Sequence, residues 1–265
     1  MSAARRAAAL LVATVLVAAQ LRAAPASAVS TVSTSSASSA SRASSAILAA
    51  TNPFARAPDQ ARIELEVASG GGRAPLRLEI WRQGDALTLV RFLDPRERGK
   101  FLIRRDDDLY FVSPGARAPV KLAPALAPPG ALLFDELARL DLVRDYRVHV
   151  RSESDGVVSF DLEALPGTTG PPRLRWVVDA RRGLPLRAEL LDAGGRATEI
   201  VEFREWRNAR TLEPSLLIAR DLAHGGRPIS VRLLSIAPEP VPVELFSLTD
   251  GAARRALPPP PPARP

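Results

Sequence analysis

The chain has 265 residues, 46% of them apolar and 25% charged, which is enough to bury a large core. With 25 prolines and 16 glycines it is not a helix bundle, and without cysteine it has no disulfide framework, thiolate nucleophile or Cys-ligated metal. Acids and bases alternate under a net charge of +7, with neither the one-sign stripe nor the aromatic-basic platform of a nucleic-acid binder.

Residues 1–28 read as a cleaved export signal. Arg5 and Arg6 form a positive start, Ala7 to Leu21 is apolar apart from Thr14 and Gln20, and Ala26-Ser27-Ala28 offers the small residues a signal peptidase reads. The apolar run is shorter than the ~20 residues that span a bilayer. Loss of Arg5, Arg6 and Arg22 takes the net charge from +7 to +4. No cysteine follows the cleavage site, so the mature chain is not itself a Cys-acylated lipoprotein. Residues 29–46 are a Ser/Ala/Thr tract that buries too little to offset its ordering entropy, which predicts a flexible linker. Ile47 and Leu48 belong to one short helix that ends before Pro53.

Period-two alternation then takes over. Ile63, Leu65 and Val67 alternate with charges, and Gly70-Gly71-Gly72 turns the chain into Leu76, Leu78 and Ile80. Leu87 and Leu89 follow, then Phe101 and Ile103. Asp106-Asp107-Asp108 makes the next turn, into Leu109 and Phe111. After residue 140 the pattern resumes with Tyr146, Val148 and Val150. It runs on through Phe160 and Leu162, Trp176 and Val178, then Val201 and Phe203, to Val231 and Leu233. Gly, Pro and Asp clusters punctuate eleven to thirteen such segments, which is the pattern of antiparallel strands in an all-β meander.

One apolar face on most strands requires a cover. The long break in the rhythm is 123–140, whose second half reads as a helix with Leu132, Leu133, Phe134 and Leu137 on a broad apolar face. Two helices cannot cover a dozen strands, so the sheet must curl on itself. The expected fold is mainly β: a strongly curved antiparallel sheet, an unclosed half-barrel, with a few lid or plug helices. Its inner wall is then a partly vacant apolar groove. The expected lining is Ile63, Leu65, Leu76, Leu78, Leu87, Leu89, Phe101, Ile103, Leu109, Phe111, Phe160, Trp176, Val178, Val201 and Phe203. Leu132, Leu133, Phe134 and Leu137 are its lid.

Several runs resemble outer-membrane lipoprotein-sorting proteins of the LolA-like superfamily. They are Leu89-Val90-Arg91-Phe92-Leu93-Asp94-Pro95, Arg98-Gly99-Lys100-Phe101-Leu102, Leu109-Tyr110-Phe111-Val112-Ser113-Pro114 and Val120-Lys121-Leu122, in that order. Arg175-Trp176-Val177-Val178-Asp179, Leu184-Pro185-Leu186-Arg187-Ala188-Glu189, Asp192-Ala193-Gly194-Gly195 and Phe246-Ser247-Leu248 extend the likeness. It covers roughly 46–249, so that 47–249 is the expected lipid-binding domain. The chain departs from the family at Gly130-Ala131-Leu132-Leu133-Phe134-Asp135-Glu136-Leu137, where many relatives carry a polar Gly-Ser-Asp-Phe stretch. The resemblance implies a soluble periplasmic carrier of acyl chains. An acylated lipoprotein or lipid is its cargo, and an inner-membrane transporter and an outer-membrane acceptor are its partners.

The chemistry points the same way. His149 sits between Arg147 and Arg151 on a charged strand face, and His224 in a Gly-rich turn. No G-x-S-x-G elbow supplies a serine nucleophile, so no enzyme is expected. Asp106, Asp107 and Asp108 read as a solvated turn, and no metal or cofactor is expected. Burial of a hydrocarbon chain contributes about 0.8 kcal/mol per CH₂, enough for a monomeric carrier without precise polar contacts. The five prolines 258–262 predict a disordered, Pro-rich tail over 250–265. That tail and the Ser-rich linker motivate an alternative, a non-catalytic sensing or scaffold module that binds a membrane-protein partner.

Overall fold

The computed structural model describes residues 33–54, 58–69, 74–116, 118–123, 126–128, 130–222, 225–249 and 252–259. The export signal, residues 29–32, the Gly70–72 turn, His224 and Pro260–262 lie outside the described residues.

Thirteen strands are described, and they form one sheet whose neighbours all pair antiparallel. The first meander comprises β1 (Gln60–Ser69), β2 (Leu76–Gln83), β3 (Leu87–Phe92), β4 (Phe101–Arg105), β5 (Asp108–Val112) and β6 (Val120–Leu122). The second comprises β7 (Tyr146–Ser154), β8 (Val157–Ala164), β9 (Arg173–Asp179), β10 (Leu184–Leu191), β11 (Ala197–Asn208), β12 (Glu213–Asp221) and β13 (Pro228–Pro238). Asp155-Gly156, both at positive φ (53° and 81°), makes the tight β7–β8 turn that hairpin twist favours.

The order β6-β5-β4-β3-β2-β1-β13-β12-β11-β10-β9-β8-β7 carries the architecture. The first and last strands pair in the middle, Leu65 opposite Leu233 and Val67 opposite Val231. β6 and β7, joined in sequence, are the two outer edges and do not pair with each other. Their connection must therefore cross from one rim of the sheet to the other. The short helix α2 (Leu133–Ala138) lies in that crossing. Register shifts occur in the β7–β8, β9–β10, β10–β11 and β11–β12 ladders and at the β1–β13 seam, where bulges bend and twist strands.

The main core lies on the concave face. Ile63, Leu78, Val90, Leu102, Phe160, Trp176, Val201 and Val231 are buried there with Leu48 and Phe54. Gly130 carries the crossing segment close over the seam. Its φ is +76°, and a β-carbon there would lie 2.8 Å from Ile229 and 3.1 Å from Val67.

Two expectations at the ends are corrected. Residues 33–46, expected as linker, belong to helix α1 (Ser33–Thr51). Alanine, the best helix former, is frequent here, and the helix ends in buried Leu48 and Thr51. Asn52 then ties it down, donating to the Leu140 carbonyl at 3.0 Å and accepting from Phe54 N–H at 3.0 Å. Of the tail 250–265, expected to be disordered, Ala253, Ala256 and Leu257 pack on the sheet together with part of the preceding segment. Val241, Leu245, Phe246 and, in helix α3 (Ala252–Ala256), Ala253 are buried against Trp81, Leu89, Phe101 and Ile103. The Arg91 guanidinium donates to the Pro258 carbonyl at 2.6 Å. Residues 241–249 and 252–259 are thus a strap on the convex face of β2–β4.

Candidate functional site

The strap moves four expected lining residues to the other side of the sheet. Leu87, Leu89, Phe101 and Ile103 face the convex cluster and do not line the inner wall. Alternation then puts Val90, Phe92 and Leu102 on the concave side instead. Ile63, Leu65, Leu78, Leu109, Phe160, Trp176, Val178, Val201 and Phe203 are buried in the concave core, with Leu76 and Phe111 half-buried against it.

Nor is the middle of the wall vacant. Phe134 meets Phe54 edge-on at 5.3 Å between ring centroids, Phe54 lies 6.3 Å from Phe203, and Phe203 lies 5.6 Å from Trp176. This chain of rings fills the centre with the protein's own side chains. Space remains at the rim, where the sheet fails to close.

What holds α2 across the concavity is a buried carboxylate. Asp135, fully buried, accepts from the Thr88 hydroxyl at 2.5 Å and faces the Arg104 guanidinium at 2.5 Å and the Arg82 Nε at 4.0 Å. Arg82 also donates to the Ala138 carbonyl at 3.3 Å, at the end of the helix. A buried acid among leucines is tolerable only when paired in this way. Sequence reading passed over Asp135, Thr88, Arg82 and Arg104. The available signal was a lone polar position at concave register in each of β2, β3 and β4.

Two hollows flank α2. One, of about 410 Å³, is walled by Leu48, Phe54 and Leu140 together with Asp59, Arg82, Asp85, Arg139, Asp141 and Arg144. So many charges suit a hydrated crevice. The other, of about 540 Å³, has Leu132, Leu133, Leu137 and Leu140 on one wall. Arg104 and Leu109 come to it from the first meander, and Tyr146, Leu190 and Glu199 from the second, with loop 168–171 at the side. This size falls within the roughly 300–1,000 Å³ of small-molecule sites, and six leucines form its apolar part beside charged residues at its edge. Of the expected lining only Leu109 reaches it, whereas three of the four lid residues do; Phe134 turns instead to Phe54.

The electrostatics of this hollow are uneven. Burial, then the neighbouring Glu136 and Asp221, push the Glu199 carboxyl up to about 7. Burial also pushes the Tyr146 hydroxyl above its ordinary range, and that hydroxyl donates to the Pro171 carbonyl at 3.2 Å.

The other polar residues singled out from sequence are surface features. His149 is exposed. Asp107 pairs with Arg139 at 3.3 Å and Asp108 with Lys121 at 2.7 Å, so the acidic turn is spent on neighbours. Among the described residues no group of three or more His, Cys, Asp or Glu has a metal-binding arrangement.

No protein-family profile matches this chain. No curated protein matches it either. Solved structures do. A LolA superfamily protein from Nitrosomonas europaea is 18% identical over 77% of this chain and 97% of its own, with a TM-score of 0.60. A DUF1329 family protein from Desulfovibrio piger is 15% identical over 78% and 97%, with a TM-score of 0.58. An outer-membrane lipoprotein-sorting protein domain from Vibrio parahaemolyticus is 12% identical over 78% and 97%, with a TM-score of 0.55. The resemblance read from the strand motifs thus holds at the level of the fold: the chain has the unclosed, LolA-like half-barrel.

Proposed function

We propose that this chain is an exported, periplasmic, non-catalytic carrier that shields an acyl chain of a lipoprotein or lipid beneath α2. The reading starts from a LolA-like fold, shared with a lipoprotein-sorting protein domain. The observation that carries it is the leucine-walled hollow of about 540 Å³ between α2 and the unclosed rim. Each methylene that leaves water there contributes about 0.8 kcal/mol, so a single chain binds without a precise polar match. The hollow opens further if α2 lifts, and the Asp135 pairs with Arg104 and Arg82 resist that. An inner-membrane donor and an outer-membrane acceptor complete the proposed route.

The test is solvent extraction of the purified protein followed by mass spectrometry, together with titration of a fluorescent fatty-acyl probe. Co-extracted lipid is expected, as is saturable probe uptake that Leu137→Asp abolishes. A protein that carries no lipid and takes up no probe contradicts the reading. The scaffold alternative drew on a free linker and a free tail; α1 and the strap now occupy much of both segments.

A further inference from the structure

The leucine-walled hollow has a definite capacity, and its surroundings fix it. A methylene takes roughly the volume a water takes in the liquid, ~30 Å³, so about 540 Å³ holds one alkyl chain of about 18 carbons. Room for a second chain has to come from one of the hollow's boundaries.

Each boundary is held. Toward the middle of the sheet the concavity is solid. Phe134, Phe160, Trp176 and Val201 are fully buried there, Phe54 and Phe203 nearly so, and Phe134 meets Phe54 edge-on at 5.3 Å. A close-packed interior yields little space by small shifts. Toward the first meander, α2 is seated by buried Asp135, which faces Arg104 at 2.5 Å and accepts from Thr88 at 2.5 Å. Lifting α2 far enough to widen the hollow separates that carboxylate from its partners. At the side, the Tyr146 hydroxyl donates to the Pro171 carbonyl at 3.2 Å and ties loop 168–171 to β7. Gly170 passes so close to this hydroxyl that a β-carbon would overlap it.

We propose that the hollow admits one alkyl chain and no second, so that its preferred guest is a single-chain amphiphile, a fatty acid or a lysolipid, over a lipid with two or three chains. This rests on the reading of the hollow as an acyl-chain site and adds the number of chains to it. A two-chain lipid that leaves a bilayer brings both chains out, and only one finds shelter here. Each methylene left in water disfavours the transfer about fourfold, so a few exposed carbons disfavour it by well over tenfold.

The full chain is incubated with vesicles of palmitoyl-oleoyl phosphatidylethanolamine that contain a minor fraction of the palmitoyl lysolipid. It is then separated from the vesicles by flotation and analysed by native mass spectrometry. One lysolipid per protein is expected, favoured roughly tenfold or more over the two-chain lipid after correction for vesicle content. In Phe54→Ala/Phe134→Ala, which empties the middle of the concavity, the two-chain lipid should rise to within about threefold of the lysolipid. A second measurement needs only the native protein: fatty acids of ten to twenty-four carbons compete with the fluorescent acyl probe. Affinity should rise by up to about fourfold per carbon and level off near 18 carbons. Two-chain lipid carried at parity by the native protein overturns the single-chain inference and leaves the acyl site standing. So does an affinity that climbs all the way to twenty-four carbons, or a folded double variant that gains no two-chain lipid. Absence of both lipids together with failure of the probe to bind overturns both.

Discussion

Strands β1–β6 and β7–β13 are both antiparallel meanders, yet β2–β4 carry protein on both faces while the second meander carries it chiefly on one. The convex side of β2–β4 holds Trp81, Leu89, Phe101 and Ile103 beneath the strap. Fully buried Glu79 sits beside them. It pairs with Arg91 and with Arg62 at 2.8 Å and accepts from the Trp81 indole at 3.1 Å. Burial pulls the Arg91 guanidinium below its ordinary value although Glu79 supports its charge. The convex side of the second meander is instead a ladder of solvated pairs. Asp161 meets Arg151 at 3.0 Å and Arg175 at 2.9 Å, and Arg175 meets Glu189 at 2.8 Å. The first meander is a doubly packed platform that anchors α2. The second, with most of the register shifts, is a thinner wall, and the hollow lies between the two.

Removal of the strap should blur this contrast most. A chain ending at residue 240 exposes four large side chains, each worth about 1.5–3 kcal/mol when buried. Loss on the order of 5 kcal/mol is expected in urea unfolding, with strong binding of a hydrophobic dye. A truncated chain that unfolds like the full one would show that the strap is not structural. Glu79→Ala should come next, at about 3–5 kcal/mol, because Arg91 is left buried without its partner.

Glu199→Gln tests the hollow and acts in the opposite direction. The folded state holds the Glu199 proton to about pH 7, whereas an unfolded glutamate releases it near pH 4.3. The native state therefore binds the proton more tightly, and stability falls as pH rises between those values. The substitution should stabilise the protein by about 2 kcal/mol at pH 8 and very little at pH 4, as read by thermal unfolding. Equal effects at both pH values would place the carboxyl in open water. Asp161→Ala, on the solvated ladder, should cost no more than about 1 kcal/mol. A loss matching that of Glu79→Ala would erase the distinction between the two convex faces.

The same contrast governs what could be read from sequence. Val158, Phe160 and Leu162, then Leu174, Trp176 and Val178, alternate with neighbours that are mostly polar and, Ser159 apart, at least partly exposed to water, so the concave side of the second meander was legible. In Leu89-Val90 and Phe101-Leu102-Ile103 both faces are buried, and alternation no longer distinguishes inside from outside. Leu89, Phe101 and Ile103 were placed on the wrong face for that reason. The hollow itself arises from pairing order: β6 and β7 as opposite edges oblige 123–145 to cross the mouth, and no local pattern encodes that. Asp135 and Glu199 acquire their character only from what the crossing brings near them.

The central claim is that an acyl chain enters between α2 and the unclosed rim. A fatty acid bearing a photoactivatable group on its chain, cross-linked to the full protein and mapped by peptide mass spectrometry, tests it most directly. The account expects adducts within 132–140, at Leu109 or at Leu190, all lost in Leu137→Asp. Adducts confined to the convex strap, or labelling unchanged by that substitution, would contradict it.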